Sequence, residues 1–313
     1  MAPVSSSPRS NFLLVLAIIA MISVPAALTL HTVRVSPTIP ATVPNSSPYG
    51  YTVSLLLFLV PIAVIGVWLV PSEGLKISKR SFVRTIALLF PVGVILDFFF
   101  ARSFLKFPNP GATSGIAAPA LGGSVPIEEY AFYFTGFVAV LLIYIWLDEY
   151  WLAAYSIPVT AERRTDFNRL LQFDPKSLIL AIAFIAAAIL YRKLFVPTPG
   201  FPGYFVFLIL GALGPSALLL PSALPVVNWR ALSLTLLIIL LMSLLWEATL
   251  GVPYGWWGYQ ETQMTGIFIT AWSRLPIEAV LVWVAVTYAT AIVYEVVRRW
   301  QSSGKQARHA FFG

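Results

Sequence analysis

Apolar runs long enough to cross a bilayer recur along the chain, and they limit the folds that it can adopt. A helix of about 20 apolar residues matches a hydrocarbon core that is about 30 Å thick. Only 11% of the residues are charged and 58% are hydrophobic, which leaves too little polar surface for a soluble globular protein. We therefore predict an all-α fold, a polytopic membrane helix bundle embedded in lipid.

Eight runs are candidate spans. They lie at 11–30, 51–70, 82–101, 126–147, 177–191, 204–220, 232–250 and 275–297. The first run has Arg9 before it and small residues at its end, so a signal peptide is the alternative, but it lacks a clear cleavage site and we favour a retained helix. Two further segments, 103–125 and 264–272, are unsuited to spanning and are expected to form lid-like loops.

An internal repeat divides the chain. Pro-Ile-Glu-Glu at 126–129 opens one run, and Pro-Ile-Glu-Ala at 276–279 opens another run 150 residues later. Asp97 and Glu247, in the preceding runs, share that offset. We infer a duplication into two parallel repeats of about 150 residues, because an even number of spans in each repeat preserves its direction. The predicted units are a first membrane repeat with the N-terminal helix (1–150), a cytoplasmic linker (151–176), and a second membrane repeat with a basic tail (177–313).

Basic residues set the expected orientation. The net charge is +7, but the Lys and Arg residues sit in short clusters between apolar runs, as the positive-inside rule requires, so nucleic acid is not an expected partner. With both termini cytoplasmic, that side collects 14 of the 20 Lys and Arg residues. They are Arg9, Lys76, Lys79, Arg80, Arg84, Arg163, Arg164, Arg169, Lys176, Arg230, Arg298, Arg299, Lys305 and Arg308.

The chain has few side chains of the types that usually bind metals or act as nucleophiles. The chain has no cysteine, which excludes disulfides and thiolate chemistry, and its two histidines, His31 and His309, lie outside the apolar runs. A His or Cys metal site is therefore not expected, and neither a metal nor another cofactor is predicted.

Of the 13 acidic residues, five lie within the apolar runs or at their first residues. In this topology all five are near the non-cytoplasmic ends of the runs. They are Asp97, Glu128, Glu129, Glu247 and Glu278. A carboxyl group there must find a partner, meet water or stay protonated, and a cluster of them can supply both a proton donor and a proton acceptor. The alternative is structural, since Pro followed by Glu suits any helix start. The repeated motif, with an acid in each preceding run, favours chemistry.

Aromatic side chains accompany these acids. The candidates for lining a substrate site are Tyr130, Tyr133, Phe134, Trp256, Trp257, Trp272 and Trp283. Aromatic residues also form belts at membrane interfaces, which is the alternative role. Beside acids, their faces can stabilise a cation without reacting with it. Together these features indicate protonation of an alkene in a lipophilic substrate and rearrangement of the carbocation, without a redox cofactor.

At these residues the chain resembles the lycopene cyclase domain family, small membrane cyclases of carotenoid biosynthesis. The resemblance covers most of 51–297 and rests on Asp97, the stretch 126–133, Glu247, Trp257, Gly266 and Leu275-Pro276-Ile277-Glu278. It implies closure of an ionone ring on an acyclic carotenoid such as lycopene. By this resemblance Glu128 or Glu129 is the acid, and Asp97, Glu247 and Glu278 are the base or orienting partners.

Two departures from the family bear on the substrate. Phe98 follows Asp97 where the family usually has Asn, and Ala279 stands where a second Glu is expected. A cyclase of a shorter isoprenoid is therefore an alternative. From another class, a proton-coupled transporter or lipid-binding membrane protein would use the same carboxylates. A long apolar cavity open to membrane lipid favours the cyclase, and a polar path reaching both aqueous sides favours the transporter.

Overall fold

The computed structural model describes residues 47–69, 78–155 and 167–313, which are mostly helical. In these ranges seven helices are long and apolar enough to cross a membrane. They coincide with seven of the eight predicted runs, as in a multi-pass membrane protein. The predicted span at 11–30 lies outside the described residues, as do His31 and the basic residues Arg9, Lys76, Arg163 and Arg164.

In the described ranges, eight helices make up the bundle and its C-terminal cap. They are α1 (Gly50–Val64), α2 (Lys79–Phe104), α3 (Ile127–Trp146), α4 (Pro175–Phe195), α5 (Gly203–Ala223), α6 (Trp229–Trp246), α7 (Ile277–Ser303) and the short α8 (Ala307–Phe312). Turns of π-helix extend α1 through Ile65–Leu69, α3 through Leu147–Trp151 and α6 through Glu247–Gly251. Pro61 lies inside α1, as expected for a membrane helix whose neighbours relieve the kink.

Short strands add to the predicted all-α bundle. β1 (Leu105–Lys106) pairs with β4 (Gly258–Tyr259), β2 (Ala117–Ala120) with β3 (Gly123–Pro126), and β5 (Phe268–Ile269) with β6 (Leu275–Pro276), all antiparallel. These strands occupy the segments expected to be lid-like loops, and their pairing satisfies backbone groups beside the apolar runs. Gly122 lies in the β2–β3 turn with a positive φ of 83°, and Gly123, the first residue of β3, has a φ of 146°. We call this end of the bundle the hairpin end.

Helix α7 is the centre of the bundle, since it packs against α2, α3, α5 and α6. Helix α1 packs on α3, and α4 contacts α5 at the periphery. The hairpins place the first turns of α3 and α7 beside the last turns of α2 and α6. Glu128, Glu129 and Glu278 lie in those first turns. Glu247 directly follows α6, and Asp97 lies about two turns before the end of α2, so the predicted acidic residues come to one end of the bundle.

The opposite end, which we call the linker end, is fixed by an ion-pair network around Arg298. Its guanidinium donates to Asp148 Oδ2 at 3.1 Å and to Glu149 Oε1 at 3.3 Å, and it forms an ion pair with Glu295 Oε2 at 2.9 Å. Tyr144 and Asn228 extend this network. The network therefore links the C-terminal part of α3, the start of α6 and the C-terminal part of α7.

Candidate functional site

All five predicted acidic residues are buried. Asp97, Glu128, Glu129, Glu247 and Glu278 are each at most 5% exposed, although they come from four different helices or their extensions. Burial of so many ionisable groups in an apolar protein is costly unless they are hydrogen-bonded or used. Their contacts divide them into a group of three and a group of two.

Glu129 and Glu247 line one small cavity at the hairpin end. The cavity has a volume of about 40 Å³, and the two carboxyl groups are close enough to interact electrostatically. Its other walls are mostly aromatic, with Tyr51, Phe132, Tyr133, Tyr204, Trp257, Tyr259, Leu105 and Val282. We call this cavity the acid chamber.

Glu129 is held by a single hydrogen bond. Tyr51, near the start of α1, donates its hydroxyl to Glu129 Oε1 at 2.7 Å. One oxygen thus fixes the carboxyl group, and the other, Oε2, has no donor among the residues that the structure describes.

Glu247 is held by both oxygens. Trp283 Nε1 on α7 donates to Oε1 at 2.7 Å, and the Tyr259 hydroxyl donates to Oε2. Burial and the neighbouring Glu247 raise the pKa of Tyr259 well above its ordinary value, so Tyr259 remains a phenol that can donate. Two donors stabilise the ionised form of the carboxyl group. Glu247 also begins the π-helical turn of α6, a feature frequent at functional sites.

Asp97 is the third acid of this group. It is 2% exposed, and neither of its carboxyl oxygens has a hydrogen-bond partner among the described residues. It borders a narrow crevice with Tyr133 and Tyr204, which also line the acid chamber. A neutral carboxylic acid is cheaper to bury in such surroundings than an unpartnered carboxylate.

Glu128 and Glu278 hold the hairpin loops instead. Glu128 Oε1 accepts hydrogen bonds from the Ser114 backbone N–H at 2.6 Å and from the Thr52 hydroxyl. Glu278 Oε1 accepts one from the Thr265 backbone N–H at 2.6 Å. Each side chain thus ties the start of its helix to the preceding loop, and neither lines the acid chamber.

Some of the predicted aromatic residues contact the acid chamber or its glutamates, and others lie outside it. Tyr133 and Trp257 line the acid chamber, and Trp283 binds Glu247. Trp256 stacks against Tyr51, and Trp272 packs at the edge of the buried hydrophobic cluster that contains Tyr51, Trp256 and Trp257. Tyr130 donates to the Pro119 carbonyl outside the chamber. Phe134 is 40% exposed and packs on Phe90, away from the acids.

Besides Leu105 and Val282, four aromatic residues of the chamber wall were not among the predicted site residues. Three are phenols, Tyr51, Tyr204 and Tyr259, and the fourth is Phe132. Tyr51 and Tyr204 both lie in the first turn of an apolar helix, and this shared position is the signal that could have found them.

A larger groove adjoins the acid chamber. It has a volume of about 430 Å³ and lies between α1, α3 and α6, with Trp283 of α7 at its edge. Phe132 lines both the groove and the chamber. It contacts Trp246 and Trp283, with ring centroids 5.7 and 5.1 Å apart. The site therefore combines a small acidic compartment and a large apolar one, separated by aromatic rings.

The carboxyl and phenol groups of this site can donate and accept protons. Among the residues that the structure describes, no group of three or more His, Asp or Glu side chains is placed to hold a metal ion. The reactive groups of the chamber are carboxyl and phenol groups, and its walls are aromatic faces that stabilise positive charge.

Comparison with protein-family models, curated proteins and solved structures gives no match for this chain. The residues of the acid chamber and the groove are therefore the basis for a functional assignment.

Proposed function

We propose that the protein is a membrane isoprenoid cyclase, similar to lycopene cyclases, that protonates a terminal alkene and closes a ring through a carbocation. The observation that carries the proposal is the acid chamber, in which two buried glutamates with different hydrogen bonding face one aromatic cavity. An acid-initiated isomerisation needs a donor, an acceptor and walls that do not trap the cation.

We assign the two roles from the hydrogen bonds. Glu129, one oxygen of which has no donor among the described residues, gives its proton to the terminal double bond, whose π electrons form the new C–H bond. The resulting cation is attacked by a second double bond, which closes the ring. Glu247, whose oxygens both accept hydrogen bonds, takes the proton that leaves the ring cation. One proton enters and one leaves, so the product is an isomer of the substrate and no redox partner is needed.

Asp97 is the third acid of the proposed proton-transfer site. It lies beside Tyr133 and Tyr204, which reach from its crevice to the chamber wall. We assign Asp97 the role of a relay. It gives its proton to the Glu129 carboxylate that remains after ring closure and is recharged with the proton that Glu247 took up, so each turnover restores all three acids. Glu128 and Glu278 become positioning residues that hold the hairpin loops over the chamber.

We also infer that the two halves arose by duplication. Helices α2 and α3 begin at Lys79 and Ile127, and α6 and α7 begin 150 residues later, at Trp229 and Ile277. The Glu128 and Glu278 contacts to the hairpin loops recur at nearly the same offset. Basic residues support a cytoplasmic linker end and cytoplasmic termini.

The nature of the adjoining groove favours a cyclase over a proton-coupled transporter. Its lining residues are apolar except for Thr135 and Ser243, and none is charged. An ion or a polar solute would lose its hydration there without compensation. A carotenoid end group such as that of lycopene suits the groove, and a shorter isoprenoid is the alternative substrate because of Phe98 and Ala279.

Reconstitution tests this proposal. We expect purified protein in liposomes containing lycopene to form a ring-bearing isomer of unchanged mass, detected by chromatography and mass spectrometry. Conversion should proceed without a pH gradient across the membrane, because the acid and the base lie in one chamber. Formation of no isomer from lycopene or from shorter acyclic isoprenoids, together with gradient-driven uptake of a solute, would instead identify a transporter.

A further inference from the structure

We propose that the linker end binds the headgroup of an anionic phospholipid at four exposed cations, Arg80, Arg84, Lys305 and Arg308. We call this cluster the basic patch. It lies at the opposite end of the bundle from the acid chamber, and binding there is independent of the reaction proposed above. The ligand is recognised by the negative charge of its phosphate and by its position in the bilayer.

Trp300, in the last turn of α7, brings the segments of the patch together. The Arg84 guanidinium of α2 lies over its ring, 4.7 Å from the centroid. The indole N–H donates to the Lys305 carbonyl at 3.0 Å, and the ring packs on Phe311 of α8 with centroids 5.6 Å apart. One side chain thus links the start of α2, the turn after α7 and the helix that carries Arg308.

The charges of the patch have no internal counter-charge. Among the residues that the structure describes, the ion pairs all involve Arg298, and none involves a residue of the patch. Lys305 Nζ donates to the Phe167 carbonyl at 2.9 Å, which satisfies one donor but does not neutralise the ammonium group. Arg80 and Arg84 are four residues apart on one face of α2, a spacing at which like charges destabilise a helix. An anion bound from outside would relieve this repulsion.

Two stretches that lie outside the described residues adjoin this end in the sequence. Residues 70–77 contain one acid and one base, Glu73 and Lys76. Residues 156–166 contain two acids and two bases. Neither stretch carries a net charge, so the patch keeps its excess of positive charge when they are counted with it.

The patch lies at the depth of the lipid headgroups. Helices α2 and α7 have 26 and 27 residues. At about 1.5 Å per residue each covers roughly 40 Å, more than a hydrocarbon core of about 30 Å, so their polar ends reach the interface. Phe312 is 71% exposed and lies four residues after Arg308, on the same side of α8. An exposed aromatic ring beside a cation favours a lipid headgroup over a free anion, which would leave Phe312 in water.

Removal of charge at the two ends of the bundle tests the patch. The patch variant combines Arg80→Gln, Arg84→Gln and Lys305→Gln. The control variant removes the same number of charges from exposed residues of the hairpin end, by Arg102→Gln, Lys193→Gln and Arg274→Gln. The probe is phosphatidylglycerol. Its affinity for the purified protein is measured by native mass spectrometry and compared with that of phosphatidylcholine with the same acyl chains.

We expect the parent and the control variant to bind phosphatidylglycerol at least tenfold more tightly than phosphatidylcholine. Each Lys or Arg near a lipid surface contributes about 1 kcal/mol, or about fivefold in affinity, so the patch variant should bind phosphatidylglycerol about 100-fold more weakly than the parent. If the patch variant folds poorly, the single change Arg80→Gln, outside the Trp300 contacts, should still weaken binding about fivefold.

Two results would overturn the inference: equal affinity of the parent for the two lipids, or equal weakening of phosphatidylglycerol binding in the patch and control variants. Displacement of the bound lipid by excess glycerol 3-phosphate would also overturn it, because the ligand would then be a free phosphate ester rather than a lipid.

Discussion

Glu129→Gln is expected to abolish ring formation while the protein folds and inserts normally. Glutamine keeps the carbonyl oxygen that accepts from Tyr51 but has no acidic proton to give to an alkene. General acid catalysis typically contributes 10²–10⁴-fold, so the initial rate of cyclisation should fall by about 10³-fold. The measurement is the rate of isomer formation in liposomes, with membrane content and thermal unfolding checked in parallel.

Glu128→Gln is the matched control, because it makes the same chemical change at the adjacent residue of the same helix. Glu128 holds the Ser114 loop through Oε1, and glutamine retains that acceptor. The loss of a charge-assisted hydrogen bond should reduce activity by about tenfold or less. A fully active Glu129→Gln, or a Glu128→Gln that is as inactive as Glu129→Gln while folding normally, would contradict the assigned proton donor.

Arg298→Ala is expected to cause the largest loss of stability. The guanidinium group lies among Asp148, Glu149 and Glu295, and its removal leaves several carboxylates close together at the linker end. Breaking a buried ion pair from one side costs about 3–5 kcal/mol. We expect a marked fall in the unfolding temperature of the purified protein, measured in detergent.

Arg308→Ala provides the comparison for this effect. Arg308 lies in the exposed C-terminal cap, outside the ion pairs that the structure describes. Its loss should change stability by less than about 0.5 kcal/mol. Equal unfolding temperatures for the two variants would show that the Arg298 network does not hold the linker end together.

Hydropathy predicted the membrane helices well, because a span needs only length and apolar composition. The acids also could be found from sequence, since the repeated Pro-Ile-Glu motif places Glu128, Glu129 and Glu278 in corresponding first turns. Their separate roles could not be found in this way. Whether a carboxyl group meets the Ser114 loop or the chamber depends on how the hairpins fold, and residue spacing does not encode that contact.

The sequence did not separate the aromatic residues that line the chamber from those that do not, and helical geometry explains why. Residues two apart on a helix point about 200° apart, so Phe132 and Phe134 face opposite directions. Phe132 was not predicted and lines the chamber, whereas Phe134 was predicted and packs on Phe90. A run that is apolar on all sides gives no periodic signal to choose between these faces. The groove was not predicted either, because three helices form it together and no single run indicates which of its faces lines the groove.

The most direct test of the acid chamber is the pigment composition of lycopene-accumulating cells that produce the parent protein. If the buried glutamates of this chamber pass a proton to and from an isoprenoid whose end group lies in the adjoining groove, extracts will contain a cyclic carotenoid with the mass of lycopene. Unchanged lycopene in cells whose membranes hold the folded protein would contradict the assignment of lycopene as substrate. If shorter acyclic isoprenoids also remain unchanged in such cells, the proposal that the protein is a cyclase would be contradicted.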